Sequence, residues 1–168
     1  MRKAMVGTLA CCLSVTMLWC GAAMAQSPNS DVSKDFQANV QDVYFTLDRS
    51  ELSADSLASL AKTADWLKAN PGVVITVSGA TDDRGDVVYN LALSQRRADA
   101  VRDALLQSGV SSGQILFATG WGELYPVCSQ SDEACWTQNR RAHLDVWPDS
   151  LTWLANAATN HNAAASVR

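Results

Sequence analysis

The sequence predicts a two-layer α/β sandwich, with helices packed on one face of a sheet. Three observations point there. Four short runs rich in β-branched and aromatic residues read as strands. Two longer stretches carry apolar residues at helical spacing. The breaks between them hold Asn, Pro, Gly and Asp, which end helices and make turns.

The 168 residues begin with a segment that stands apart from the fold. Arg2 and Lys3 precede an uncharged apolar run, and Ala23-Met24-Ala25 then offers a small-x-small cleavage site before Gln26. This pattern predicts a secretory signal peptide over residues 1–25 rather than an uncleaved anchor. Lipidation is the weaker reading, because Trp19, not a small residue, precedes Cys20 and only a stub of apolar sequence lies before Cys11.

Residues 26–38 (QSPNSDVSKDFQA) are polar and read as a flexible leader. A single domain is expected over 39–148. Its first strand is VYFTL, from Val43 to Leu47, followed by a turn and a helix capped by Ser53 or Asp55. Leu57, Leu60, Ala61, Ala64 and Leu67 mark that helix, which Asn70-Pro71-Gly72 ends. The clearest strand is VVITVSG, from Val73. A second helix over 87–108 stops at Gly109, with Ala98, Val101 and Leu105 toward the sheet. QILFATG and Ala142–Trp147 supply the last two strands, with an irregular stretch between them containing Cys128 and Cys135. Residues 149–168 drift to Ala, Asn and Ser and read as a disordered tail.

The formal net charge is −4, and loss of Arg2 and Lys3 makes the mature chain more acidic still. No basic patch favours nucleic acid, and after the signal no apolar stretch could span a membrane. Cys128 and Cys135 form an even pair in an exported chain, where the compartment is oxidising. A disulfide between them is expected. A metal site with His143 fits no zinc spacing, so neither metal nor cofactor is expected.

The charged stretch GATDDRGDVVYNLALSQRRADAV, residues 79–101, asks for a purpose. Asp82 follows a strand and Arg97 lies mid-helix, so the two side chains can meet at the strand's carboxyl end, where α/β sheets commonly bind ligands. Two uses fit. One is an ordinary salt bridge. The other is a zwitterion site, in which Asp82 accepts an ammonium and Arg97 grips a carboxylate.

Gly79-x-Thr81-Asp82-x-x-Gly85 and Tyr89-Asn90-x-x-Leu93-Ser94-x-x-Arg97-Ala98-x-x-Val101 together resemble the OmpA-like peptidoglycan-binding domain family. The likeness runs from about Val43 to Val146 and includes GWGELYP at 120–126 and Asn139-Arg140-Arg141. It departs at Ala80, where members often carry a ring, and at Thr46, where an acidic residue is frequent. The resemblance implies a βαβαββ domain with a mixed sheet. It also implies non-catalytic binding of peptidoglycan through the diaminopimelate of its stem peptide. On it, Asp82 takes the ammonium and Arg97 the carboxylate, with support from Asn90, Asp48, Arg141 and Thr81. The implied location is the periplasm, in association with the outer membrane of a Gram-negative envelope. A module that binds an envelope protein complex is the main alternative. A wall hydrolase is weaker, since no nucleophile stands beside a base.

Overall fold

The computed structural model describes residues 28–147. The signal peptide, the lipidation question at Cys20 and the expected tail at 149–168 lie outside these residues. Four strands, β1 (Val43–Tyr44), β2 (Ile75–Gly79), β3 (Ile115–Gly120) and β4 (Arg141–Val146), form one sheet in the order β1-β4-β2-β3. Four helices accompany them: α1 (Pro28–Asn39), α2 (Ala54–Ala69), α3 (Val87–Gln107) and α4 (Glu133–Asn139). β2 and β3 are parallel across the α3 crossover, while β4 runs antiparallel to both β1 and β2. The sheet is therefore mixed, as the family resemblance implies.

Alternation along β4 sorts its side chains. Ala142, Leu144 and Val146 oppose Gly79, Val77 and Ile75 of β2 and join the core under the helices. Arg141, His143 and Asp145 fall on the other face. There Asp42 pairs with Arg141, and with His143 at 2.6 Å. Burial pushes the Asp42 carboxyl up, but His143 and Arg141 together bring it below its ordinary value.

The Ser53 hydroxyl caps α2, accepting from the Ser56 amide at 3.1 Å. Its buried stripe is Leu60, Thr63, Ala64 and Leu67, so the helix is rotated away from the expected Leu57 and Ala61, which are exposed. In α3, Ala98, Val101 and Leu105 are buried as the periodicity predicts. Two glycines let α3 lie close to the sheet. A Cβ added at Gly79 would sit 2.0 Å from the Ser94 carbonyl oxygen, and one at Gly120 would sit 2.2 Å from the Gln95 amide nitrogen. This close approach sets Arg97 beside the ends of the strands.

Three expectations change. Most of the leader expected at 26–38 is helix α1. Phe36 is 1% exposed and meets Trp66 edge-on at 5.3 Å, while the Trp66 indole donates to Asp35 at 2.9 Å. One buried aromatic, absent from any apolar pattern, fixes a helix whose other residues are mostly polar. The first strand pairs only over Val43–Tyr44, with one further bond from the Phe45 amide to the Arg140 carbonyl at 2.8 Å. Beyond it the chain turns through Asp48 at φ 58°, a left-handed conformation that Asp tolerates.

The stretch expected to be irregular contains α4. Asp132 caps it by accepting from the Cys135 amide at 2.8 Å. Cys128 and Cys135 are disulfide-bonded, with Cα atoms 5.3 Å apart. The Asn139 side chain braces the same loop, accepting from the Val127 amide at 2.9 Å and donating to the Cys128 carbonyl at 2.8 Å. Closing so short a loop restricts the unfolded chain by about 2 kcal/mol. The Cys128→Ser, Cys135→Ser double variant is therefore expected to unfold at lower urea than the parent, with an m-value equal to or slightly above that of the parent, because the unfolded chain is no longer cross-linked. An unchanged midpoint would contradict this.

Candidate functional site

A pocket of about 290 Å³ opens at the carboxyl end of β2. The loop after β2 contributes Thr81, Asp82, Arg84 and Gly85, and α3 contributes Tyr89, Asn90, Leu93 and Arg97. The turn after β1 adds Asp48, and the end of α4 adds Arg140. Gly85, at φ 104°, lets the charged loop turn back toward α3. Asp86 caps α3, accepting from the amides of Val88 and Tyr89.

Asp82 and Arg97 share this pocket without being hydrogen-bonded to each other. Both are buried, Asp82 at 3% exposed and Arg97 at 0%, so the simple surface salt bridge is set aside. The Arg97 guanidinium donates to three backbone carbonyls: Arg49 at 2.8 Å, Ala80 at 2.7 Å and Thr46 at 3.2 Å. Its charged group also lies 5.1 Å from the Phe45 ring centre. A guanidinium has five N–H groups. Two therefore lack a protein acceptor among the described residues, one on each terminal nitrogen. Burial pulls the Arg97 pKa down to about 10, against the opposing charge of Asp82. It remains a cation at neutral pH. The exposed residues Leu47, Asp48 and Tyr89 line the same pocket as Arg97. Two of these, Asp48 and Tyr89, are joined by a hydrogen bond from the phenol to the carboxylate.

Asp82 accepts from Arg84 Nη2 at 2.7 Å and from Arg140 Nη1 at 3.1 Å, both on one carboxylate oxygen. Burial pushes its carboxyl up, and the two guanidinium hydrogen bonds more than reverse this, so its pKa lies below the ordinary value. Arg140 is firmly held. It also donates to the Phe45 carbonyl at 3.2 Å, to Glu133 at 2.8 Å and to Thr137 at 2.9 Å.

Of the remaining sequence-predicted residues, Asp48, Asn90 and Thr81 line the pocket. Asn90 donates to Glu123 at 2.6 Å and to the Arg84 carbonyl at 3.1 Å, which steadies the loop. The Thr81 hydroxyl is buried with no partner among the described residues. Arg141 does not belong to this group. As the first residue of β4 it points to the opposite face, where it pairs with Asp42, and its neighbour Arg140 fills the expected place. Sequence reasoning also missed Arg84, Tyr89 and Glu123. Three guanidinium groups and two carboxylates line the pocket, and two of the three guanidinium groups, those of Arg84 and Arg140, are paired with Asp82 and Glu133. Among the described residues, no cluster of three His, Cys, Asp or Glu could hold a metal ion. No described helix is long and apolar enough to cross a membrane.

The OmpA family model matches residues 44–141. A peptidoglycan-associated lipoprotein of Brucella melitensis is 44% identical over 121 residues, covering 71% of this chain and 70% of its own. One from Haemophilus influenzae is 37% identical over 139 residues, covering 83% of this chain and 90% of its own. Among solved structures, the peptidoglycan-associated lipoprotein from Burkholderia pseudomallei superposes with a TM-score of 0.61 at 43% identity, over 63% of this chain and 89% of that one. The C-terminal domain of Helicobacter pylori MotB gives 0.60 at 21% identity, over 73% of this chain and 97% of that one, a likeness of fold.

Proposed function

The chain belongs to the OmpA family, and from that premise we propose that it binds peptidoglycan through the diaminopimelate of the stem peptide. It acts in the Gram-negative cell envelope, on the periplasmic side of the outer membrane. It is a binding protein and not an enzyme: it holds the wall without cleaving it.

One observation carries the finer reading. Asp82 and Arg97, an anion and a cation that do not bond to each other, line a single pocket. Diaminopimelate offers a complementary pair, an ammonium and a carboxylate on one carbon. Arg97 has two N–H groups left for the carboxylate, and Asp82 has a second carboxylate oxygen that takes only a long bond, 3.3 Å, from the Arg84 amide. Asp48, Asn90 and Thr81 shape the rest of the pocket, and Arg140 takes the role expected of Arg141.

Charge-assisted hydrogen bonds are worth about 1.5–3 kcal/mol, so Asp82→Asn is expected to weaken sedimentation with purified sacculi by about one to two orders of magnitude. Arg102→Ala, on the exposed side of α3, is the control and should bind as the parent does. Equal binding by Asp82→Asn and parent would end the reading. The pH profile follows from the same carboxyl. Its folded-state value is depressed, so its ionised form is fully present above about pH 4 and is lost only as pH falls through that lowered value. Binding at pH 5 should therefore match binding at pH 7.

A further inference from the structure

Asp82 is the group that receives the ligand ammonium on the reading above, yet one of its two oxygens already carries two guanidinium hydrogen bonds. Arg84 sits on it at 2.7 Å, sharing that oxygen with Arg140. An ammonium entering beside both guanidinium groups would meet like charge at close range. One of them must yield. Arg140 is buried and tied to three further acceptors, whereas the Arg84 side chain is 33% exposed and stands on a loop.

The seat that would keep Arg84 is one it already touches while it bonds Asp82. Its guanidinium carbon lies 4.1 Å from the centre of the Trp136 ring, and its Nη1 lies 3.6 Å from Glu133. Trp136 is oriented by donating its indole N–H to Asp83 at 2.8 Å. Both seat residues stand on α4, which the Cys128–Cys135 disulfide secures. The Arg84 Nε is buried without an acceptor, so its present position is incompletely satisfied.

We propose that Arg84 is an internal stand-in for the ligand ammonium. It holds Asp82 in the free protein and, when an amine-bearing ligand arrives, releases that carboxylate while Trp136 and Glu133 keep hold of it. Trp136 is thus a positioning residue that acts through Arg84. The proposal rests on the assignment of Asp82 as the ammonium acceptor. The exchange makes the site selective: a cation is admitted at Asp82 only if it replaces Arg84 there.

The test is calorimetric titration of the full mature chain with a synthetic stem tripeptide ending in diaminopimelate. The same tripeptide acetylated on the free amine serves as the second probe. Arg84→Gln removes the competing charge, so it is expected to bind the free-amine tripeptide about threefold to fivefold tighter than the parent, the scale of a partly exposed ion pair. Affinity for the acetylated tripeptide should not rise. Trp136→Leu takes away the seat and should weaken binding of the free-amine form, and Trp136→Phe, which keeps a cation–π face, should restore it. Arg84→Gln binding the free-amine tripeptide equally or more weakly than the parent would overturn the proposal, as would an equal gain for both tripeptides. Asp82→Asn separates the two levels. If it loses binding while Arg84→Gln gains nothing, the stand-in alone is wrong. If it binds like the parent, the site assignment falls and the stand-in with it.

Discussion

Arg97→Ala is expected to destabilise the domain by about 3 kcal/mol and to remove sacculus binding as well. The stability loss has an identifiable cause. Three backbone carbonyls, of Thr46, Arg49 and Ala80, rely on this one guanidinium, and two of them belong to the irregular turn after β1. Removing it leaves buried acceptors unpaired and opens a cavity against Phe45. A fall of roughly 10–15 °C in melting temperature should accompany the change. Binding must be measured where circular dichroism shows the variant still folded, and it should be lost there too. Arg97→Lys keeps the charge but cannot fork to three acceptors, so it should lie between parent and Ala in both measurements. A melting temperature for Arg97→Ala within a degree or two of the parent would show that the turn after β1 does not depend on this side chain.

The second large effect is expected at a residue with no side chain. Gly79→Ala should cost about 3 kcal/mol or more, because the new methyl would lie 2.0 Å from the Ser94 carbonyl oxygen and must force α3 away from β2. The three nearest atoms, the Ser94 carbonyl oxygen and carbon and the Ala98 amide nitrogen, are all backbone, so no rotamer change relieves the clash. The same displacement would move Arg97 off Ala80, coupling the packing defect to the site. Gly72→Ala is the matched control, since an added Cβ there has nothing within 4 Å. Urea denaturation of the pair should show a large shift for residue 79 and almost none for residue 72. Similar midpoints would mean that α3 can shift at little cost.

Much of this was legible in the sequence, and the failures have physical reasons. The sequence places α3 to within a residue, because a long amphipathic run ends at Ser108-Gly109. Asp82 and Arg97 could be picked out by residue type and position, though not their burial, which depends on the turn after β1 folding over them. That Arg140 and not Arg141 lines the pocket is legible in the strand pattern. Ala142, Leu144 and Val146 fix which face of β4 is inward, and a period of two then sends Arg141 outward with His143 and Asp145. α1 could not be read in this way, because Phe36 is a single apolar anchor among polar neighbours and Trp66, its partner, lies 30 positions along the chain. α4 is short, and its capping Asp132 was its clearest signal. Arg84 was in plain view in the charged loop, but nothing in its sequence context says that it turns inward.

The strand order has a consequence for how an exported chain becomes a folded one. β4, the last of the described strands to be made, lies between β1 and β2, which no other described strand joins. A chain leaving a secretion channel amino end first can therefore assemble the β2-α3-β3 unit early, but β1 has no strand neighbour until residue 141 has emerged. Arg140 arrives at the same moment, and with it the second guanidinium on Asp82. Closing contacts between segments so far apart in sequence is entropically slow. During vectorial translocation the β2-α3 part of the pocket can therefore stand before its other walls, and the pocket is closed only when Arg140 and the turn carrying Leu47 and Asp48 join it.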